Sequence, residues 1–170
     1  GFSEIEAALA GNIYLASYEP DAVIKGLEQS FPDDWDERLS GMHNVGQTGG
    51  VLDADVDAPE AWYLQTGSRE IVVAVIDSGV DYLHPDLAAN IWTNPGEIAG
   101  DGLDNDDNGF IDDVHGWDFR NNDADPMDDH RHGTHVAGII AAVGNNNLGV
   151  TGVAWQTSIM PLKFLGENTT

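Results

Sequence analysis

The sequence predicts an α/β fold, built on a mostly parallel sheet with helices on both faces. Three observations lead there. Residues 71–76 (Ile71-Val-Val-Ala-Val-Ile76) are six consecutive apolar residues, mostly β-branched, ending in Asp77. That is the pattern of a strand buried on both faces of a parallel sheet. His132 to Val143 reads as a helix of small and apolar residues, with Gly133 and Gly138 allowing close packing. Val153-Ala-Trp155 and Ser158-Ile-Met-Pro-Leu-Lys-Phe-Leu165 read as a further buried strand. Strand, acid, loop, helix and strand in that order indicate α/β architecture.

Each element has a local reason. Glu4 to Ala10 suits a short helix that Gly11 breaks, Asn12 to Ala16 suits a strand, and Asp21 caps a second helix running to about Gln29. Phe31-Pro-Asp-Asp34 opens a loop, and Gly46 to Gly50 is glycine-rich. Asp57-Ala-Pro-Glu-Ala-Trp62 reads as a helix start with proline in its first turn. Residues 93–113 are rich in Asn, Asp and Gly without periodicity, so they form a long loop, and long loops in compact domains tend to carry function. Gly116-Trp-Asp-Phe119 is a short strand candidate. The five tryptophans serve most simply as core and loop anchors.

Composition narrows the partners. The 170 residues are 41% hydrophobic, enough for a real core. The net charge of −24 would repel nucleic acid and anionic membranes, so neither is expected as a partner. It is compatible with a solvated acidic surface or with bound cations. There are no cysteines, so disulfides give no reading of compartment. No apolar run approaches the roughly 20 residues of a membrane span. Gly1-Phe-Ser-Glu4 lacks the basic start and apolar core of a signal peptide.

Asp77 sits where a parallel strand ends, the usual place for functional groups in such sheets. A carboxylate there suits the Nδ1 proton of a histidine. His132 opens a helix, where the dipole favours the neutral imidazole that a general base needs. Ile76-Asp-Ser-Gly-Val-Asp81, His84-Pro-Asp-Leu87 and His132-Gly-Thr-His-Val-Ala-Gly138 together resemble the acid and histidine regions of the subtilisin-like serine proteases. The similarity runs from about Pro32 to Phe164, through Ala61-Trp62 and Gly149-Val-Thr-Gly-Val-Ala154. It implies Asp77 as the orienting acid, His132 as general acid and base, and His135 as a noncatalytic histidine that packs or hydrogen-bonds. In that family the order is Asp, His, Ser, and both the serine and an oxyanion-binding asparagine come later in the chain. The serines here, at 3, 17, 30, 40, 68, 78 and 158, lie in no matching Gly-Thr-Ser context. Loss of such a serine costs about a million-fold in turnover.

The acidic stretches point to calcium. Asp104-Asn-Asp106-Asp-Asn108-Gly-Phe110-Ile-Asp112-Asp113 alternates oxygen side chains before a turn glycine, as a calcium loop does. His115 stands where an EF-hand would place Glu, so Asp112 and Asp113 would close the site, with the Phe110 carbonyl filling in. The resemblance implies two further calcium sites. One uses Asp118, Asp123, the Asp125 carbonyl and position 127, where Met127 is a poor ligand for a hard cation; Asn121 falls in the same loop. The other joins Asp34 and Asp86 to Val143, Asn146, Leu148 and Val150, so that one cation ties three segments. His130, His132 and His135 lack the spacing of zinc peptidases.

The expectation is thus a secreted, Ca2+-stabilised serine endopeptidase acting on polypeptides. Residues 1–30 form an N-terminal extension or propeptide remnant, and 31–170 the N-terminal part of the catalytic domain. The sheet is expected to be truncated, the chain inactive alone, and its partner the C-terminal part bearing the serine. The alternative is a noncatalytic calcium-binding fragment or pseudoprotease.

Overall fold

The computed structural model describes residues 28–167. The expected elements at 4–10 and 12–16 lie outside the described residues, as does most of the helix expected from Asp21 to Gln29. Three strands form one sheet: β1 (Val72–Asp77), β2 (Trp117–Asp118) and β3 (Ser158–Lys163). Their order is β1-β3-β2, and both pairings are parallel. Two helices accompany them, α1 (Ala58–Leu64) and α2 (His132–Ala141). Among the described residues no helix is long and apolar enough to cross a membrane.

Pairing puts Val73 opposite Ile159, Val75 opposite Pro161 and Asp77 opposite Lys163. Side chains alternate along strands, so these residues share one face. Against that face pack Ala137 and Ala141 of α2, in a cluster completed by Val75, Val80, Leu87, Ala142 and Ile159. Ile159 is fully buried, which contributes roughly 1.5–3 kcal/mol relative to exposure. Asn90 locks the far end of α2, donating from Nδ2 to the carbonyls of Ala141 (3.0 Å) and Trp155 (2.8 Å).

The other face corrects the expectation of a strand buried on both sides. Val72 is 42% and Ile76 66% exposed, although their sequence is as apolar as that of their neighbours. Near Leu162 and Met160 this face is lined by Trp92, Phe110, Trp117 and Phe119, around a cavity of about 330 Å³. A hydrophobic run signals what a strand needs, and among the described residues only one side of β1 receives it.

α1 starts where the Asp57-Ala-Pro pattern places it, with Asp57 in the N-cap position and Pro59 in the first turn. Its Trp62 packs on Trp155 and Trp35, at centroid distances of 5.4 and 6.0 Å, and donates from Nε1 to Val153 O at 2.9 Å. Met42 and Leu39 complete this second cluster. The anchoring role of the tryptophans holds: Trp62, Trp117 and Trp155 are all buried. Val153 to Trp155 is a turn, and the strand begins only at Ser158. Residues 93–113 form the expected long loop, with no helix or strand inside it.

The two glycines of α2 differ. A β-carbon on Gly133 would overlap the carbonyl oxygen of Gly79 and crowd the Asp77 side chain, whereas one on Gly138 meets nothing within 4 Å. Only Gly133 therefore permits close packing. Gly133→Ala should lower the thermal midpoint by an amount equivalent to about 1–3 kcal/mol. Gly138→Ala should raise it by about 0.5–1 kcal/mol through reduced unfolded-state entropy. Differential scanning calorimetry of both variants checks this, and equal effects of one sign would refute the packing difference.

Candidate active site

Two chain segments 55 residues apart meet at the end of β1. The His132 ring nitrogen Nδ1 lies 2.8 and 2.9 Å from the two carboxylate oxygens of Asp77. Asp77 also accepts the Ser78 amide at 2.7 Å. Burial pushes the Asp77 carboxyl up, but the hydrogen bonds from His132 and Ser78 outweigh it and hold the group below its ordinary value. An ionised carboxylate only accepts, so Nδ1 carries a proton, and in the neutral ring Nε2 is the nitrogen that keeps its lone pair. The Asp77 side chain is 13% exposed and that of His132 61%, so the free edge of the imidazole faces solvent. Asp77, Ser78, His130, His132, Leu165 and Gly166 line a cavity of about 200 Å³ there. A larger cavity of about 550 Å³ lies along α2, beside Leu39, Met42, His84 and Ile139, and touches neither Asp77 nor His132. His135 is exposed on that side rather than packed.

The helix meets the strand through Asp128, a carboxylate of the polar run before His132 whose capping role the sequence did not show. Arg131 holds the N-cap position of α2 but makes no side-chain cap, and its backbone is left-handed at φ 75°. Asp128 caps instead. It accepts the amides of His130 (2.8 Å), Arg131 (2.9 Å) and Thr134 (2.9 Å), and the hydroxyls of Thr134 and Ser78. Burial raises its carboxyl, yet these donors, Thr134 foremost, leave it below the ordinary value. Ser78 in turn accepts the Gly133 amide at 3.0 Å and is 1% exposed. Its hydroxyl is thus committed on both sides, which agrees with a non-nucleophilic role. Among the described residues no serine or threonine hydroxyl hydrogen-bonds His132. His130, His132 and His135 form no convergent metal-ligating group.

The expected calcium ligands separate into distinct arrangements. Asp106 and Asp113 converge with Glu97, their carboxylate oxygens all within 4.8 Å of one another. Glu97 escaped the sequence reading because it lies upstream of the alternating run. Asn94 donates to both Asp106 (3.0 Å) and Asp113 (2.8 Å), and Asn108 does the same at 3.2 and 3.1 Å. Asp104 instead accepts the amides of Asn108 and Gly109, and Asp112 those of Gly100 and Gly102. Phe110 packs its ring against Trp117 in a tilted arrangement, with centroids 4.9 Å apart. Three carboxylates at one point are a hard-oxygen donor set, the kind that holds Ca2+. A second convergent group, Asp53, Asp55 and Asp57, lies on the surface before α1.

Asp118, Asp123 and Asp125 do not form such a group. Asp118 is fully buried, accepts the amides of Arg120 and Asn121, and lies 3.6 Å from the Lys163 ammonium. Lys163, itself buried, also donates to the Met127 carbonyl at 2.7 Å and pairs with Asp129 at 3.1 Å. Asp123 accepts the Asp125 amide, and Asp125 accepts the Tyr82 hydroxyl and the Met127 amide. An internal ammonium therefore lies beside Asp118 and Met127, the two ends of this loop. The third expected set does come together. Asp34 accepts the amides of Asn145 and Asn146, while Asp86 accepts Asn146 Nδ2 (2.8 Å) and the Val150 amide (2.9 Å). The Val143 amide donates to Asp86 O, and the Leu148 amide to Asn146 Oδ1.

Comparison with known proteins agrees with this geometry. The model of the subtilase family matches residues 68–170. Subtilisin-like protease 1 of Plasmodium falciparum is 53% identical over 97 residues, which cover 56% of this chain and 14% of that protein. Thermitase of Thermoactinomyces vulgaris is 38% identical over 113 residues, 66% of this chain and 32% of that protein. The chain thus spans a minor part of the relatives it matches. Among solved structures, the serine protease of Aeromonas sobria superposes with a TM-score of 0.59 at 26% identity, covering 92% of this chain and 25% of that one.

Depressed carboxyls make the site acid-sensitive. Asp77 and Asp128 both lie below the value of about 3.9 expected in the unfolded chain. Their extra stabilisation is complete above that value and is lost as pH falls through the lower folded values. The urea midpoint should therefore fall on acidification below about pH 4, and Asp77→Asn should flatten that slope. Identical slopes in the two proteins would contradict the assignment.

Proposed function

The chain belongs to the subtilase family of serine peptidases, and we propose that it supplies the acid and base of an endopeptidase whose serine lies on polypeptide outside residues 1–170. The observation that carries this reading is the contact of His132 Nδ1 with both oxygens of Asp77, which leaves Nε2 free to act. In the complete site, Nε2 takes the serine proton as the hydroxyl oxygen attacks the peptide carbonyl. It then gives that proton to the departing amine, while Asp77 stabilises the imidazolium and stays ionised. The exposed edge of His132 and the cleft lined by Leu165 and Gly166 support an open, polypeptide-sized approach. The uncovered face of β1 supports docking of the serine-bearing part of the domain, because Val72 and Ile76 need burial.

A second reading is a noncatalytic, cation-binding fragment. It is favoured by the absence, among the described residues, of any hydroxyl bonded to His132. Both readings include Ca2+ held by Asp106, Asp113 and Glu97, and a second ion where Asp34, Asp86 and the 143–150 loop meet. When bound, the ion supplies charge compensation to converging carboxylates and ties distant segments. In the loop of Asp118, Asp123 and Asp125, Lys163 compensates Asp118, and we propose no ion there. A secreted location accords with calcium dependence and strong net negative charge.

A fluorophosphonate probe separates the two readings. Intact-mass analysis of the denatured natural protein should find the probe on a serine outside residues 1–170, with labelling abolished by His132→Ala. Absence of a labelled serine would leave the cation-binding reading. For the metal, chelation should lower the thermal midpoint and added Ca2+ restore it, and Glu97→Gln should shrink that response. A midpoint indifferent to both chelator and calcium would end the calcium proposal.

A further inference from the structure

We propose that Asp128 is a positioning residue for the His132–Asp77 pair, acting through Ser78 and the first turn of α2; this rests on the catalytic reading above. The contacts form a closed circuit. Asp77 accepts from the Ser78 amide and from His132 Nδ1. The Ser78 hydroxyl donates to Asp128 Oδ1 at 2.8 Å and accepts from the Gly133 amide at 3.0 Å. Asp128 Oδ2 accepts the Thr134 amide at 2.9 Å, and the Thr134 hydroxyl both donates to Asp128 and accepts the Asp81 amide at 2.9 Å. One carboxylate thus reaches the residue after the acid and, on the other side, residues flanking the base.

The chain needs such a tie at this point. Arg131, directly before His132, is left-handed at φ 75°, a strained conformation for a non-glycine residue. Asp128 holds it by accepting its amide at 2.9 Å. The helix dipole favours a carboxylate at this N-terminus, and an alanine would leave the amides of His130, Arg131 and Thr134 without their acceptor. The His132 ring hangs from backbone fixed by Asp128 on both sides, while the ring itself is largely exposed and, among the described residues, hydrogen-bonds only Asp77. Loss of the tie therefore frees the imidazole rather than emptying the core. Misplacement by about 1 Å can cost roughly 100-fold in rate.

The test uses the natural protein carrying this sequence, with ring-15N histidine, and assigns His132 by its absence in His132→Gln. In the wild type, His132 should hold its proton on Nδ1, visible as a slowly exchanging resonance. In Asp128→Ala that resonance should disappear and the ring should return to the tautomer mixture of free imidazole, with circular dichroism unchanged. Peptidase kcat should fall roughly 10- to 100-fold with KM nearly constant. A folded Asp128→Ala protein that keeps the Nδ1 resonance and tautomer overturns the proposal. Should that variant not fold, Ser78→Ala decides in the same way, because it removes the hydroxyl that joins Asp128 to the Gly133 amide and leaves the rest of the side chain. A wild type with the Nδ1 resonance but no turnover would refute the peptidase reading alone; the tautomer change in the variants would still decide the role of Asp128.

Discussion

The arrangement depends on how closely the start of α2 approaches the end of β1. Gly133 lies against the Gly79 carbonyl and Asp77, and Gly79, at φ 97°, turns the chain under Pro126. No side chain larger than hydrogen fits at either point. This contact brings an imidazole within hydrogen-bond reach of a carboxylate 55 residues earlier. Everything chemical about the site follows from it. The tautomer of His132 is set by Asp77, and the free nitrogen by the tautomer. The ring of donors around Asp128 then holds the junction from behind.

A second theme is how a chain of net charge −24 disposes of its carboxylates. Most are not paired with cations, because only six lysines and arginines are available. They are instead satisfied by backbone amides in loops, as at Asp112 with Gly100 and Gly102, or Asp34 with Asn145 and Asn146. Such loops are ordered without regular secondary structure, because each carboxylate replaces several missing backbone acceptors. Arg38 pairs with Asp36 on the surface, and Lys163 is the buried exception. It is buried among Asp118, Asp129 and the Met127 carbonyl, and it joins the central strand to the loop that precedes α2. Among the described residues the Glu97, Asp106 and Asp113 group has no such ammonium, and its converging charge is what a divalent cation would neutralise.

The sheet shows how one apolar pattern can have two fates. Val73 and Val75 pack on α2, while Val72 and Ile76, next to them in sequence, remain exposed. Six β-branched and apolar residues announce a strand and its demand for cover on two sides. They carry no information about which element supplies the cover. The same limit applied to α2, where two glycines looked alike and only Gly133 touches a neighbour.

By itself the sequence determined the strand ending in Asp77, the helix opening at His132, the start of α1 after Asp57 and the long acidic loop. Each is written by contiguous residues, in a run, a period, a proline in a first turn or a cluster of turn formers. Family resemblance also anticipated the meeting of Asp34, Asp86 and the 143–150 loop. Tertiary structure alone decided that Asp128, not Arg131, caps α2; that Glu97 rather than Asp104 or Asp112 joins Asp106 and Asp113; and that Lys163 lies beside Asp118 and Met127. The reason is physical. A hydrogen bond between Ser78 and Asp128 spans 50 residues, and nothing in the local sequence marks either residue as the partner of the other. Their partnership exists only once the chain path has brought the strand end and the helix start into contact.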